Sequence, residues 1–205
     1  ADDDDSGIAL FLVERGAAGL AVGGYRTQDG ARAAELTLSG TPATLITADG
    51  LAALETGVDV GLAALCAEGV GVMDRLLALT VDYMNTRRQF GAPLSSFQAL
   101  RHRIADVKMQ VELARSMSYY ATLRLGDEPA RRRQAMAQAK VQLGQSARFV
   151  GQQCIQLHGG IGVTCEYIVS HYFRALTQLE FAFGDTMHQL GEVSARMQDT
   201  AGVFA

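Results

Sequence analysis

A chain of 205 residues with 48% apolar and 20% charged residues, three prolines and a net charge of −4 has room for one large domain or one and a half ordinary ones. This composition argues against disorder and low-complexity linkers, and its mild acidity argues against a nucleic-acid partner, whose backbone demands a basic surface. Cys66, Cys154 and Cys165 are odd in number and none stands at zinc-site spacing from another, so no disulfide framework and no metal site is expected, and a reducing cytoplasm fits best.

In chain order, Ala1 is followed by the acidic run Asp2 to Asp5, which cannot form the positive start of a signal peptide. From Ile8 to Ile46 the pattern is strand-like. Ile8 to Val13 is an apolar run closed by Gly16 and Gly19, Leu36-Thr37-Leu38 alternates before the turn at Gly40-Thr41-Pro42, and Thr44-Leu45-Ile46 follows. Three or four strands fit, too few to cover their own edges, so residues 1–49 are expected to be a partial β-domain belonging to a larger sheet.

After Asp49-Gly50 the composition shifts to strong helix formers, and residues 50–205 are expected to form a helical bundle. The first helix is predicted from about Leu51 to about Arg88, with Leu62, Leu65, Cys66, Val70, Met73, Leu76, Leu77, Val81 and Met84 lining one face. The apolar-rich part from Ala52 to Ala67 carries Glu55 and Asp59 and falls short of the roughly 20 residues of a membrane span, so no membrane partner is expected. Phe90 to Pro93 stops this helix, and Ser95 or Ser96 is placed to cap the next, which runs to Leu125. A third spans roughly Ala130 to Leu157. Tyr167 to Phe183 and Thr186 to about Met197 complete a fold that is mainly α with a small β part, an up-down bundle.

Two places carry residue types that plain packing does not call for. At the elbow between the first two long helices stand Arg87, Phe90, Phe97 and Gln98. An arginine there can fork onto a phosphate and a phenylalanine can face a ring system; equally, the arginine can complement the helix dipole and Phe90 can staple the turn. At the end of the third helix stand Gln156, His158, Gly159, Gly160 and Gly162. One glycine serves a helix C-cap, so the second and third point toward a ligand approached closely by backbone amides, with a tight structural turn as the alternative. His158 reads as a hydrogen-bonded packing residue. Arg131-Arg132-Arg133 opens a helix with charge that opposes its dipole, and a solvated face or a partner acid is expected for it. Arg101-His102-Arg103 reads as surface decoration beside the elbow, with a positive rim toward a phosphate as the alternative.

The ordered tract from Asp59 through Arg87-x-Gln89-Phe90-Gly91, Phe97-Gln98, Gln156-Leu157-His158-Gly159-Gly160-x-Gly162 and His171-Tyr172-Phe173-Arg174 to Gly184 resembles the C-terminal helical domain of FAD-dependent acyl-CoA dehydrogenases. Phe11 to Ile46 resembles the end of that family's middle β-domain. The resemblance implies that Arg87 and Phe90 contact the pyrophosphate and adenine side of FAD, that Phe97 and Gln98 follow as a cofactor-lining pair, and that Gln156, Gly159 and Gly160 lie over the cofactor. It also implies FAD held mainly by an adjacent subunit, and an acyl-CoA substrate oxidised to trans-2-enoyl-CoA. Where the family places its glutamate base, this chain has Phe183, followed by Gly184-Asp185. Glu68, expected on the core side of the first helix, and Asp185 are the nearest acids, and Asp185 can equally cap the last helix. Leu62 replaces an arginine common in the family. No catalytic residue is therefore assigned. The chain resembles a small, non-catalytic subunit of a heteromeric dehydrogenase, working with a partner subunit or a second copy. The alternative is a structural assembly subunit with no flavin of its own.

Overall fold

The computed structural model describes residues 7–201; the acidic run Asp2 to Asp5 lies outside them. It divides into two compact units, Ala1–Val58 and Asp59–Ala205.

In the first unit, β1 (Leu10–Leu12) pairs antiparallel with β4 (Thr44–Thr47), with Phe11 opposite Leu45 and Leu12 opposite Thr44. Between them in sequence, β2 (Leu20–Arg26) and β3 (Arg32–Leu38) form a hairpin in which Leu20 faces Leu38 and Arg26 faces Arg32. β2 was not singled out by the sequence pattern because Gly23 and Gly24 interrupt its centre, where glycine lowers strand propensity. Phe11, Val22, Leu36 and Ile46 are all more than half exposed. A two-stranded ribbon cannot bury a face of its own, which leaves these side chains open.

The helices begin with α1 (Leu51–Thr86), which crosses the boundary between the two units. A short hairpin of β5 (Arg88–Gln89) and β6 (Ala92–Pro93) follows, then a 3-10 turn at Leu94–Ser96 and α2 (Gln98–Leu123). Neither Ser95 nor Ser96 caps α2: the N-cap is Phe97, and the Ser96 hydroxyl donates back to Pro93 O at 2.7 Å. Pro129 opens α3 (Pro129–His158), fixing φ where the missing N–H costs nothing. A 3-10 segment, Gly159–Val163, leads to α4 (Ile168–Phe181) and α5 (Thr186–Ala201). α4 stops before Phe183, since that residue takes a left-handed backbone, φ 55°, which no α-helix accommodates. Among the described residues no helix is long and apolar enough to cross a membrane.

In the second unit α3 packs against α2, α4 and α5. The core is built from Leu62, Met73 and Leu76 of α1, Val107 and Val111 of α2, Met136, Leu143 and Val150 of α3, and Val169 and Leu176 of α4. Of the apolar positions expected on α1, Val81 is exposed, and Thr80 takes the buried place with its hydroxyl donated to Leu76 O at 2.7 Å. Asp59, 1% exposed, accepts from Arg132 at 2.8 Å and Arg133 at 3.2 Å, so two of the three arginines at the head of α3 meet a buried acid rather than a solvated face. Only Arg131 keeps an exposed position. Lys140, fully buried, donates to Glu180 O at 2.8 Å. Burial holds its ammonium pKa below the ordinary lysine value, with the Glu180 carboxylate opposing the shift.

Candidate cofactor site

The elbow starts in the last turn of α1, where the Arg87 amide donates to Tyr83 O at 2.8 Å. The β5–β6 hairpin then reverses the chain, Leu94 N returning to Arg87 O at 2.9 Å and Arg88 donating to Gly91 O at 2.9 Å. This tight reversal needs two left-handed residues, Phe90 at φ 51° and Gly91 at φ 78°. Phe90 is 93% exposed and meets the Phe97 ring edge-on with centroids 6.3 Å apart, so it does not staple the turn. The exposed Arg87 guanidinium has no ion-pair or hydrogen-bond partner among the described residues. Gln98, with Arg101 and His102, lines an open depression of about 530 Å³, while Arg103 is turned to Gln153 of α3 at 3.2 Å.

The glycine bend is built differently at each glycine. Gly159 takes φ 63°, the left-handed region that ends α3. A Cβ placed on Gly159 or Gly160 would meet nothing within 4 Å, so their backbone faces open space. On Gly162 it would come within 2.9 Å of both His158 Cβ and Ile155 O. The third glycine is thus required by packing inside the chain, and only the first two leave backbone accessible to a ligand. Gln156, one turn earlier, is exposed.

Elbow and bend meet through Tyr83 and His158. The Tyr83 hydroxyl donates to His158 O at 3.3 Å, and the two rings stack at 4.5 Å with 28° between planes. Tyr167 closes the group, tilted 5.4 Å from His158. His158 is 3% exposed, and its Nδ1 lies 2.8 Å from Cys154 O. Burial depresses its pKa, so the neutral ring donates from Nδ1 and keeps Nε2 as an acceptor, which is buried without a partner. Its expected role as a packing residue stands. Tyr83 and Tyr167 were not picked out in the sequence; the available signal was a tyrosine one helical turn before Arg87 on an otherwise apolar face.

Residues 48–198 match the profile of the acyl-CoA dehydrogenase C-terminal domain. The chain belongs to this family. It is 30% identical over 210 residues to acyl-CoA dehydrogenase FadE27 of Mycobacterium tuberculosis, covering 97% of this chain and 55% of that protein. Among solved structures, a variant of the Tcur3481–Tcur3483 steroid ACAD is 32% identical with a TM-score of 0.86, covering 95% of this chain and 53% of that one. The ChsE4–ChsE5 complex from Mycobacterium tuberculosis is 30% identical with a TM-score of 0.87 and the same coverage. The chain spans about half the length of the relatives it matches.

At the position the resemblance gives to the acyl-CoA dehydrogenase base, the Phe183 side chain is directed at α1: a Cβ on Gly61 would sit 2.8 Å from its ring Cζ. The Asp185 carboxylate accepts from His188 N at 2.8 Å and caps α5. Glu68 is exposed on α1, not on the core side as expected, because its neighbours Cys66, Gly69 and Val70 take the buried positions. Leu62 is fully buried and available to no ligand. Cys66 and Cys154 are buried with their thiols pushed up to about 11 by desolvation, which leaves them un-ionised and inert.

Proposed function

We propose that this chain completes a shared FAD site in an acyl-CoA dehydrogenase, contributing cofactor contacts but not the base. The supporting observation is that one end of the bundle carries an Arg87 guanidinium unpaired among the described residues, the open backbone of Gly159 and Gly160, and a phenylalanine 93% exposed on a left-handed backbone. An exposed aromatic on a costly backbone, beside an uncommitted cation, fits an anionic dinucleotide with flat rings. Arg87 would hold the pyrophosphate, Phe90 and Phe97 the adenine side, and Gln98, Gln156, Gly159 and Gly160 the cofactor's polar edges.

When bound, FAD supplies the acceptor for the hydride that leaves the β carbon of the acyl-CoA. Proton removal from the α carbon falls outside this chain, since Phe183 has no titratable group, Asp185 is engaged in a cap and Glu68 points to solvent. The reading is therefore of a subunit acting with a second, base-bearing dehydrogenase chain in the cytoplasm, with residues 1–49 taken as the end of a β-domain.

The test is co-expression with such a dehydrogenase subunit. The expected result is a co-purifying yellow complex whose FAD content drops several-fold in Arg87→Ala. A complex that forms but is colourless supports a structural assembly subunit instead. A chain that neither binds the partner nor raises its FAD occupancy disproves the proposal.

A further inference from the structure

The two segments assigned to the cofactor come from the ends of different helices, Arg87 and Gly159 standing 72 residues apart in sequence, and each is a solvent-facing turn. A dinucleotide gripped by both needs them at a fixed separation, because a contact displaced by an ångström loses most of its worth. Helix cores do not provide this on their own, since helix ends fray. Something must join the turns locally.

Tyr83 is placed to do so. Its backbone carbonyl receives the Arg87 amide at 2.8 Å, so it sets the first residue of the elbow. Its hydroxyl reaches His158 O at 3.3 Å, the carbonyl directly before Gly159. That distance is long for an O–H···O bond, and the stacked Tyr83 and His158 rings at 4.5 Å share the work of holding the two ends together. His158 is in turn held from two further sides, by Cys154 O at 2.8 Å and by the Gly162 backbone, which lies so near that a Cβ there would come within 2.9 Å of His158 Cβ. The path from the Arg87 amide to the Gly159 backbone thus runs through one tyrosine side chain.

We propose that Tyr83, seated on His158, is a positioning residue that fixes the Arg87 elbow against the Gly159–Gly160 bend and thereby sets FAD affinity without touching the cofactor. This rests on the reading that both segments hold one FAD. The role differs from ordinary core packing in what it controls: loosening Tyr83 frees two turns at once while the helices stay folded.

The test uses the assembled protein with Tyr83→Phe, which keeps the ring, and Tyr83→Leu, which removes ring and hydroxyl. Hydrogen exchange is followed in the FAD-free protein at the amides of Arg87, Leu94 and Gly159, with the FAD Kd and the FAD-free melting temperature measured alongside. Exchange should quicken at the elbow and the bend together. The Kd should rise roughly threefold in Tyr83→Phe and roughly tenfold in Tyr83→Leu, with the melting temperature nearly unchanged. Exchange that quickens at one segment alone, or a Kd within twofold of the parent in both variants, overturns the proposal. A parent protein that binds no FAD defeats the cofactor reading by itself, and the exchange arm then still decides whether the two turns are coupled.

Discussion

A left-handed backbone crowds the Cβ of an ordinary residue against the following carbonyl oxygen, at roughly 1–2 kcal/mol, and among the described residues two phenylalanines accept it, Phe90 at φ 51° and Phe183 at φ 55°. At Phe90 the side chain returns almost nothing to the fold, being almost wholly exposed and set at right angles to the Phe97 ring. Replacing it separates folding from binding. Phe90→Gly is expected to raise the stability of the FAD-free protein by up to roughly 1 kcal/mol, since glycine adopts this conformation freely, while weakening flavin retention. Urea unfolding and flavin titration on the same sample check the two signs. A fall in stability would mean that Phe90 serves the fold after all.

At the scale of elements, the junction of α3, α4 and α5 is held by contacts that need a missing side chain. Gly144 of α3 faces the Thr186 hydroxyl and Glu180 Oε2, the latter 2.5 Å from where a Cβ would stand. Glu180 Oε1 accepts from Thr186 N at 3.2 Å, and Gln189 Nε2 donates to Phe183 O at 2.7 Å, which ties the start of α5 to the end of α4. In an isolated helix Gly144→Ala would stabilise by roughly 1 kcal/mol. Here overpacking at a polar junction costs about 1–3 kcal/mol, so the variant is expected to melt lower than the parent; a higher melting temperature would show that the junction yields at no cost. These elements also mark how far the sequence could be read. Each long helix was legible from apolar spacing and from glycine and proline stops, with ends within a few residues, because burial on one face imposes that spacing. The β5–β6 hairpin and β2 were not, being set by turn geometry and a paired strand rather than by periodicity. The Asp59 contacts with Arg132 and Arg133 were likewise hidden, since they join positions more than 70 residues apart.

For the whole molecule, acid sensitivity has an identifiable source. An unfolded chain takes a proton on each imidazole near pH 6.5, whereas burial keeps His158 neutral to a lower pH in the folded chain. The contribution is therefore fully present above about pH 6.5, declines as the pH falls below it, and is gone once the folded group also protonates. Unfolding free energy is expected to drop between pH 7.5 and pH 5.5, and His158→Gln should flatten that drop; an unaltered slope in the variant would assign the sensitivity to other groups. The candidate site was legible in part for a related reason. Arg87, Phe90 and the two open glycines stood out because their chemistry is wasted in a plain bundle, whereas Tyr83 and Tyr167 look like ordinary aromatics until the fold gathers them around His158.

The fit of the Phe183 ring against Gly61 constrains how this lineage can change. A Cβ at 61 would stand 2.8 Å from the ring Cζ, so a larger residue there requires the half-exposed ring to swing aside. An acid at 183 would lift the restriction, and 61 could then accept a side chain that in turn crowds an incoming aromatic. Substitutions at the two sites are thus coupled, and sequences that carry the aromatic should favour glycine at 61.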